Sequence, residues 1–406
     1  MIAHLRPAAS SLILATCVVW AACTTPPADT GNRTAAGPAS GNSTGAGNTG
    51  QLGGVPMPTV DPKEVPSLIS DLSGGSVEAR RRAAERLGLV YPPSAEAVGP
   101  LTTALTDADA GVRANAALGL SLIGPPAAKA APQLVVALED ADTEVRFHAA
   151  NALGMLDAPS MAVINSLVRL SNDPEPRLRR AGVTALGNLG APASAALQTL
   201  IDRLADGDVD VRVAAASAIG RMGDAAAGAS GALVAALGEP DERVRRSAAI
   251  ALGDIRPPQS GAVEALATAT RDASPAVRSS ALQALRSLGP TATAAVPALK
   301  QLAADPDAGV RASALQTLAT VDAAGRGTVD VLVAALRDTE AVVRGVAADA
   351  LGGVGKPAAP AVPELIRLLE DPSEEVRSRV ADALYLIGTP EAKKAAEAYA
   401  AKSRKG

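Results

Sequence analysis

Residues 127–157 read AAKAAPQLVVALEDADTEVRFHAANALGMLD. The first half places Leu134 and Leu138 at i and i+4, one apolar stripe of a short helix. The turn Asp140-Ala141-Asp142-Thr143 interrupts it, and Val145, Ala149, Ala152, Leu153 and Leu156 resume helical spacing. The stretch reads as a hairpin of two helices, A then B. Its pattern returns every 33 residues, marked by Arg80, Arg113, Arg146, Arg179, Arg212, Arg245, Arg278, Arg311, Arg344 and Arg377. A leucine stands twelve residues before each arginine, from Leu68 to Leu365, and Leu or Ile stands seven after, from Leu87 to Leu384. A fixed period of this length means one unit stacked ten times. Such an array presents surfaces more readily than it encloses pockets. No alternating strand pattern appears.

The punctuation agrees. Four residues before the arginines stand Ser76, Asp109, Asp142, Glu175, Asp208, Asp241, Ser274, Asp307, Glu340 and Ser373, and the Ser and Asp among them are good N-caps for helix B. Eleven residues after, Gly124, Gly190, Gly223, Gly289, Gly355 and Gly388 predict helix stops in the left-handed C′ conformation. Six before stand Asp107, Asp140, Asp173, Asp206, Glu239, Asp272, Asp305, Asp338 and Asp371, with Gly74 in the first unit. These carboxylates are near enough to the guanidiniums to pair, within a repeat or with its neighbour. One exposed pair contributes about 0–1 kcal/mol, but a row in register sets the stacking. Because nearly every arginine has its own acid, the row is a structural ladder, not a phosphate- or carboxylate-binding strip.

Almost half of the 406 residues are apolar but only 1% are aromatic, so Ala, Leu and Val fill the interior. The net charge is −4, or −5 once Arg6 is removed with a leader, which disfavours nucleic acid because that partner needs a dense basic stripe. Both cysteines, Cys17 and Cys23, fall at the N-terminus, and beyond His4 the only histidine is His148. No cofactor or metal is expected, and no Ser-His-Asp arrangement exists beyond one centred on His148.

Residues 1–22 carry Arg6 and then an apolar run from Ala8 to Ala22, the length of a signal peptide and too short to span a bilayer. Its end, Trp20-Ala21-Ala22-Cys23, resembles a bacterial lipoprotein signal, which implies lipidation of Cys23; Trp20 departs from that pattern, and a plain secretory signal is the alternative. Residues 23–60, rich in Gly, Thr, Asn and Pro, are expected to form a disordered tether with a reach of roughly 35 Å. The expected place is the bacterial cell envelope, facing the periplasm or cell surface.

The recurring Asp-x-Asp-x-x-Val-Arg-x-x-Ala-x-x-Ala-Leu-Gly, as in Asp140–Gly154, resembles HEAT repeats, more narrowly the short HEAT-like units named after phycobilisome lyases. Ankyrin's Thr-Pro-Leu-His turn is missing, and aromatics are too few for tetratricopeptide units. The resemblance covers residues 61–390 and implies an all-α, right-handed solenoid with A helices convex and B helices concave; residues 391–406 make a capping helix and basic tail. Some HEAT-like relatives are di-iron hydroxylases built on His-Glu pairs, but here His148 precedes Ala149, so the expectation is a non-catalytic scaffold.

If B helices line the inner face, positions one, two and five after each arginine are open to a partner. Two places stand out there: Arg81 and Arg82, beside Arg80 and Arg86 on the first B helix, and Phe147, His148 and Asn151 on the third with Arg180 on the fourth. The plain readings are a solvated polar cap for the first and a partly buried Phe147 beside a solvated His148 for the second. A monomeric adaptor for a protein or peptide is the expectation, with a structural envelope spacer, or a HEAT-like maturation factor related to the lyases and hydroxylases, as the alternatives.

Overall fold

The computed structural model describes residues 59–403 except Ser260 and Arg326; the leader, Cys23, the tether through residue 58 and the tail beyond Ser403 lie outside the described residues. It divides into two compact units, one ending at Gln133 and the other beginning at Leu134. The A helices are α1 (Val65–Gly74), α3 (Val98–Ala104), α5 (Ala131–Ala137), α7 (Met161–Leu170), α9 (Leu197–Arg203), α11 (Ser230–Ala236), α13 (Ala262–Ala269), α15 (Val296–Leu302), α17 (Val329–Ala335) and α19 (Val362–Leu368). The B helices are α2 (Val77–Gly88), α4 (Ala110–Ile123), α6 (Thr143–Met155), α8 (Pro176–Leu189), α10 (Val209–Met222), α12 (Glu242–Asp254), α14 (Pro275–Leu288), α16 (Ala308–Val321), α18 (Ala341–Val354) and α20 (Glu374–Ile387). A last helix, α21 (Pro390–Ser403), closes the series over α20 by burying Ala392 and Ala396. The architecture is an all-α solenoid of ten helical hairpins.

The periodic residues explain why. All ten leucines of the A helices and all ten Leu or Ile residues seven after the arginine are buried. Each such side chain contributes about 2 kcal/mol by leaving water. Of the eight Ser and Asp residues at the N-cap position, seven accept a backbone N–H from the first turn of helix B; Ser274 does not. The first helical turn is preceded by one isolated bridge, in which Val60 N–H donates to the Leu89 carbonyl at 3.1 Å, so Val60 at the expected tether's end is buried.

The glycine stops hold, with a correction. All six have positive φ, from 56° to 73°, but only Gly388 is left-handed in both angles. Gly124, Gly190, Gly223, Gly289 and Gly355 combine it with ψ between −132° and −143°, a conformation that excludes a Cβ. The chain leaves helix B extended and enters a 3₁₀ turn such as Pro125–Ala130 or Ala191–Ala196, which leads into a seven-residue A helix. A left-handed C′ would curl it back instead.

Glycine eight after the arginine has a separate task. A Cβ built on Gly88, Gly154, Gly187, Gly220, Gly253 or Gly352 would meet a Cα of the next B helix at 2.6–3.0 Å. The opposing residue is Gly119 for the first and Ala185, Ala218, Ala251, Ala284 and Ala383 for the others. At these six junctions the B helices touch backbone to backbone, which sets their spacing.

Candidate functional site

Most ladder arginines are double clamps. From Arg113 to Arg377, Nη1 donates to the carbonyls six and five residues back, tying helix B to its own turn. Nε and Nη2 reach the turn acid of the following repeat. Arg80–Asp107, Arg179–Asp206, Arg245–Asp272, Arg311–Asp338 and Arg344–Asp371 are bidentate at 2.7–3.0 Å, and Arg212 Nε meets Glu239 at 3.3 Å. Oδ1 of Asp107, Asp140, Asp173, Asp206, Asp272, Asp305, Asp338 and Asp371 also accepts the backbone N–H two residues on, at 2.8–2.9 Å. The guanidinium hydrogen bonds hold the Asp107, Asp272, Asp338 and Asp371 carboxyls below the ordinary carboxylate range. Among the described residues no bridge joins Arg146 to Asp173 or Arg278 to Asp305. With their hydrogen bonds directed inward, the ladder arginines offer little to a ligand.

The arginines of α2 are likewise engaged. Arg81 makes a bidentate pair with Asp109 at 2.6 and 2.7 Å, which lowers the Asp109 carboxyl to about 2, and Arg86 holds Glu64 at 2.6 Å. Arg82 alone of the four is exposed without a bridge.

The α6–α8 cluster differs from its plain reading. Phe147 is buried, and His148, expected to be solvated, is only 7% exposed. Arg177 of the next repeat lies with its guanidinium 4.1 Å over the Phe147 ring and pairs bidentately with Glu144, Nη2 to Oε2 at 2.8 Å. The Phe147 and His148 rings meet edge to face at 5.4 Å, and His148 Nε2 lies 3.8 Å from Glu144. Burial pushes the imidazole down to about 4, against the pull of Glu144, so it is neutral at pH 7. Asn151 is half-buried, and Arg180 sits 3.5 Å from Asp210, whose other oxygen takes Arg243 at 2.8 Å.

Glu144, Arg177, Asp210 and Arg243 all stand two residues before a ladder arginine. They form a second row, alternating in sign, that the sequence reading missed. The position two before the arginine is open to solvent in most repeats; the position five after is half-buried from Leu118 to Ser217 and exposed from Ile250 to Asp382. The position two after is mixed: Arg82 is exposed, but His148, Ala181 and Ser280 are buried. A cleft of about 590 Å³ between α11, α13 and α15 has Arg271 and Asp272 as its charged lining groups, and Asp272 is already held by Arg245. Among the described residues no group of three or more His, Cys, Asp or Glu is placed to hold a metal ion.

A family model described as HEAT repeats matches residues 65–135, 131–220, 197–267, 230–319 and 329–405. The chain belongs to the HEAT-repeat family. A crystal structure of an engineered protein is similar to this HEAT array at 25% identity and a TM-score of 0.50, covering 80% of this chain and 99% of its own. In all, 443 chains of solved structures match, so the fold alone assigns no ligand. No curated protein matches. HEAT arrays generally serve as protein-interaction scaffolds and are typically non-catalytic.

Proposed function

We propose that the chain is a non-catalytic protein-interaction scaffold of the bacterial cell envelope. It is exported, held at a membrane by a lipidated Cys23, and presents the exposed face of its B helices to a protein or peptide. The binding part rests on one observation. Within each repeat the buried positions twelve before and seven after the arginine keep Leu or Ile, while the positions two before and five after it, exposed or half-buried, change from repeat to repeat. The latter run Asn151, Thr184, Ser217, Ile250, Gln283, Gln316, Asp349 and Asp382 through the second unit. Variation confined to an outward face is what a surface adapted to one partner requires. The envelope part rests on the apolar run ending at Cys23 and on the low-complexity stretch after it.

Affinity purification of the mature chain from envelope extract tests the first part. One stoichiometric partner, weakened by Asn151→Ala with Arg180→Ala, is expected; no enriched partner would leave only the spacer reading. For the anchor, an acyl mass on Cys23 and release of Cys23→Ala from membranes are expected. Unchanged fractionation together with an unmodified wild-type N-terminus sinks it.

A further inference from the structure

The exposed faces of the B helices differ in chemistry along the second unit. On α8, α10 and α12 the outward charges include Arg177, Arg180, Arg221, Arg243 and Arg246. On α18 and α20 helical spacing gathers Val342, Val346 and Asp349 on one face and Glu375, Arg379, Asp382 and Leu386 on the other. Val342 is 55% exposed, Leu386 61% and the adjoining Tyr385 64%. Three of the seven large apolar side chains left exposed among the described residues therefore lie on two neighbouring helices, where hydration is costly unless a partner covers them.

The two helices are pressed together, Gly352 against Ala383, and Leu386 lies across Gly352 onto α18. Val342 marks one end of this face and Leu386 with Tyr385 the other, about 16 Å apart by helical rise. Between them sit three carboxylates, Asp349, Glu375 and Asp382, and one base. That base, Arg379, is folded down, its Nη1 on Asp349 at 2.8 Å and its Nη2 on Glu375 at 2.6 Å. Gly345 makes room for it, since a Cβ there would stand 3.0 Å from the Arg379 side chain. Burial still holds the Asp349 carboxyl above its ordinary value, against Arg379, with Asp382 and Glu375 adding to the rise. The face is thus apolar at both ends, acidic between, and short of cations.

We infer that α18 and α20 dock a basic amphipathic helix of a partner protein, its apolar side seated on Val342, Tyr385 and Leu386 and its Lys or Arg side chains on Glu375 and Asp382. The inference rests on the scaffold reading and names a place and a chemistry within it. About three turns of helix span the distance between the apolar ends. Opposite charge across the face fixes orientation and speeds encounter. An anionic lipid surface is repelled by the same carboxylates. A second copy of the chain offers on its most basic B helix only Arg82 without a bridge, too few cations to meet both Glu375 and Asp382.

The test titrates a fluorescent synthetic helix of Leu and Lys, about four turns long, onto the full mature chain and follows anisotropy. Saturable binding is expected, weakened about tenfold or more by Leu386→Asp and separately by Asp382→Lys, and unchanged by Asn151→Ala. Circular dichroism confirms that these surface variants stay folded. A peptide of the same composition with its helical register shuffled is expected to bind at least about tenfold more weakly. Equal binding of the shuffled peptide, or indifference to both substitutions, overturns the inference. If the chain carrying Leu386→Asp retains an envelope partner at full affinity, this docking face is wrong while the scaffold reading stands.

Discussion

The junction between the third and fourth repeats and that between the seventh and eighth lack the same rung. Arg146 does not bridge to Asp173, and Arg278 does not bridge to Asp305, among the described residues. The two junctions respond differently. Between α6 and α8, Gly154 meets Ala185 at backbone distance, and Glu144, Arg177 and Phe147 form a clamp over the seam. Between α14 and α16 the glycine is replaced by Arg286 and the alanine by Thr317, and Arg286 instead reaches sideways to Gln316 at 2.7 Å. One junction exchanges its rung for close packing and a cation stacked on a ring. The other keeps exposed hydrogen bonds, Arg286 to Gln316 and Arg271 to Gln301. Repeats with the same core can thus be joined with different firmness, because the joining residues lie outside the core positions.

The largest expected effect separates the junctions directly. Gly154→Val puts a side chain 2.9 Å from the Ala185 Cα, which is backbone and cannot swing away, so a loss of about 3 kcal/mol is expected in urea unfolding. Arg286→Val, at the matching position, is expected to cost under about 1 kcal/mol. Equal losses would break the comparison.

Acid comes next. His148 has its folded-state pKa depressed from 6.5 to about 4, so the fold favours the neutral ring. That stability is fully present above pH 6.5 and is lost as pH falls toward about 4, on the order of 2–3 kcal/mol in all. The His148→Leu variant should lack this loss, and parallel pH profiles for the two proteins would refute the assignment. The ladder aspartates, lowered from 3.8, give up their contribution only at still lower pH. Arg177→Ala removes the ring stacking and the half-exposed pair with Glu144, for about 1 kcal/mol and faster amide exchange confined to α6 and α8. The smallest effect belongs to Arg286→Ala, about 0.5 kcal/mol or less, read in the same exchange experiment at α14 and α16.

Much of this was legible in the residues. Leucines twelve before and seven after each arginine announced the hairpins, because burial demands the same residue type at the same place in every unit. The turn acids announced the ladder but not its direction. In a stack of period 33 an acid six residues before one arginine is also 27 residues after the previous one, and only coordinates show the bidentate bonds crossing to the next repeat. Glu144, Arg177, Asp210 and Arg243 escaped notice because a search for identical residues passes over a row whose sign alternates. His148 was read as solvated from its place in one repeat, yet it is buried beside Phe147 and Glu144, both of which Arg177 of another repeat holds. The docking face on α18 and α20 had no sequence signal beyond Tyr385, Leu386 and their acidic neighbours.

By itself the sequence determined the period, the hairpin, the core and the ends of each helix, since these depend on local spacing and on side chains that must leave water. Tertiary structure decided which arginine holds which acid, which glycines let helices touch, and which exposed residues share a face. Those depend on how neighbouring repeats pack, which places residues about 30 positions apart side by side.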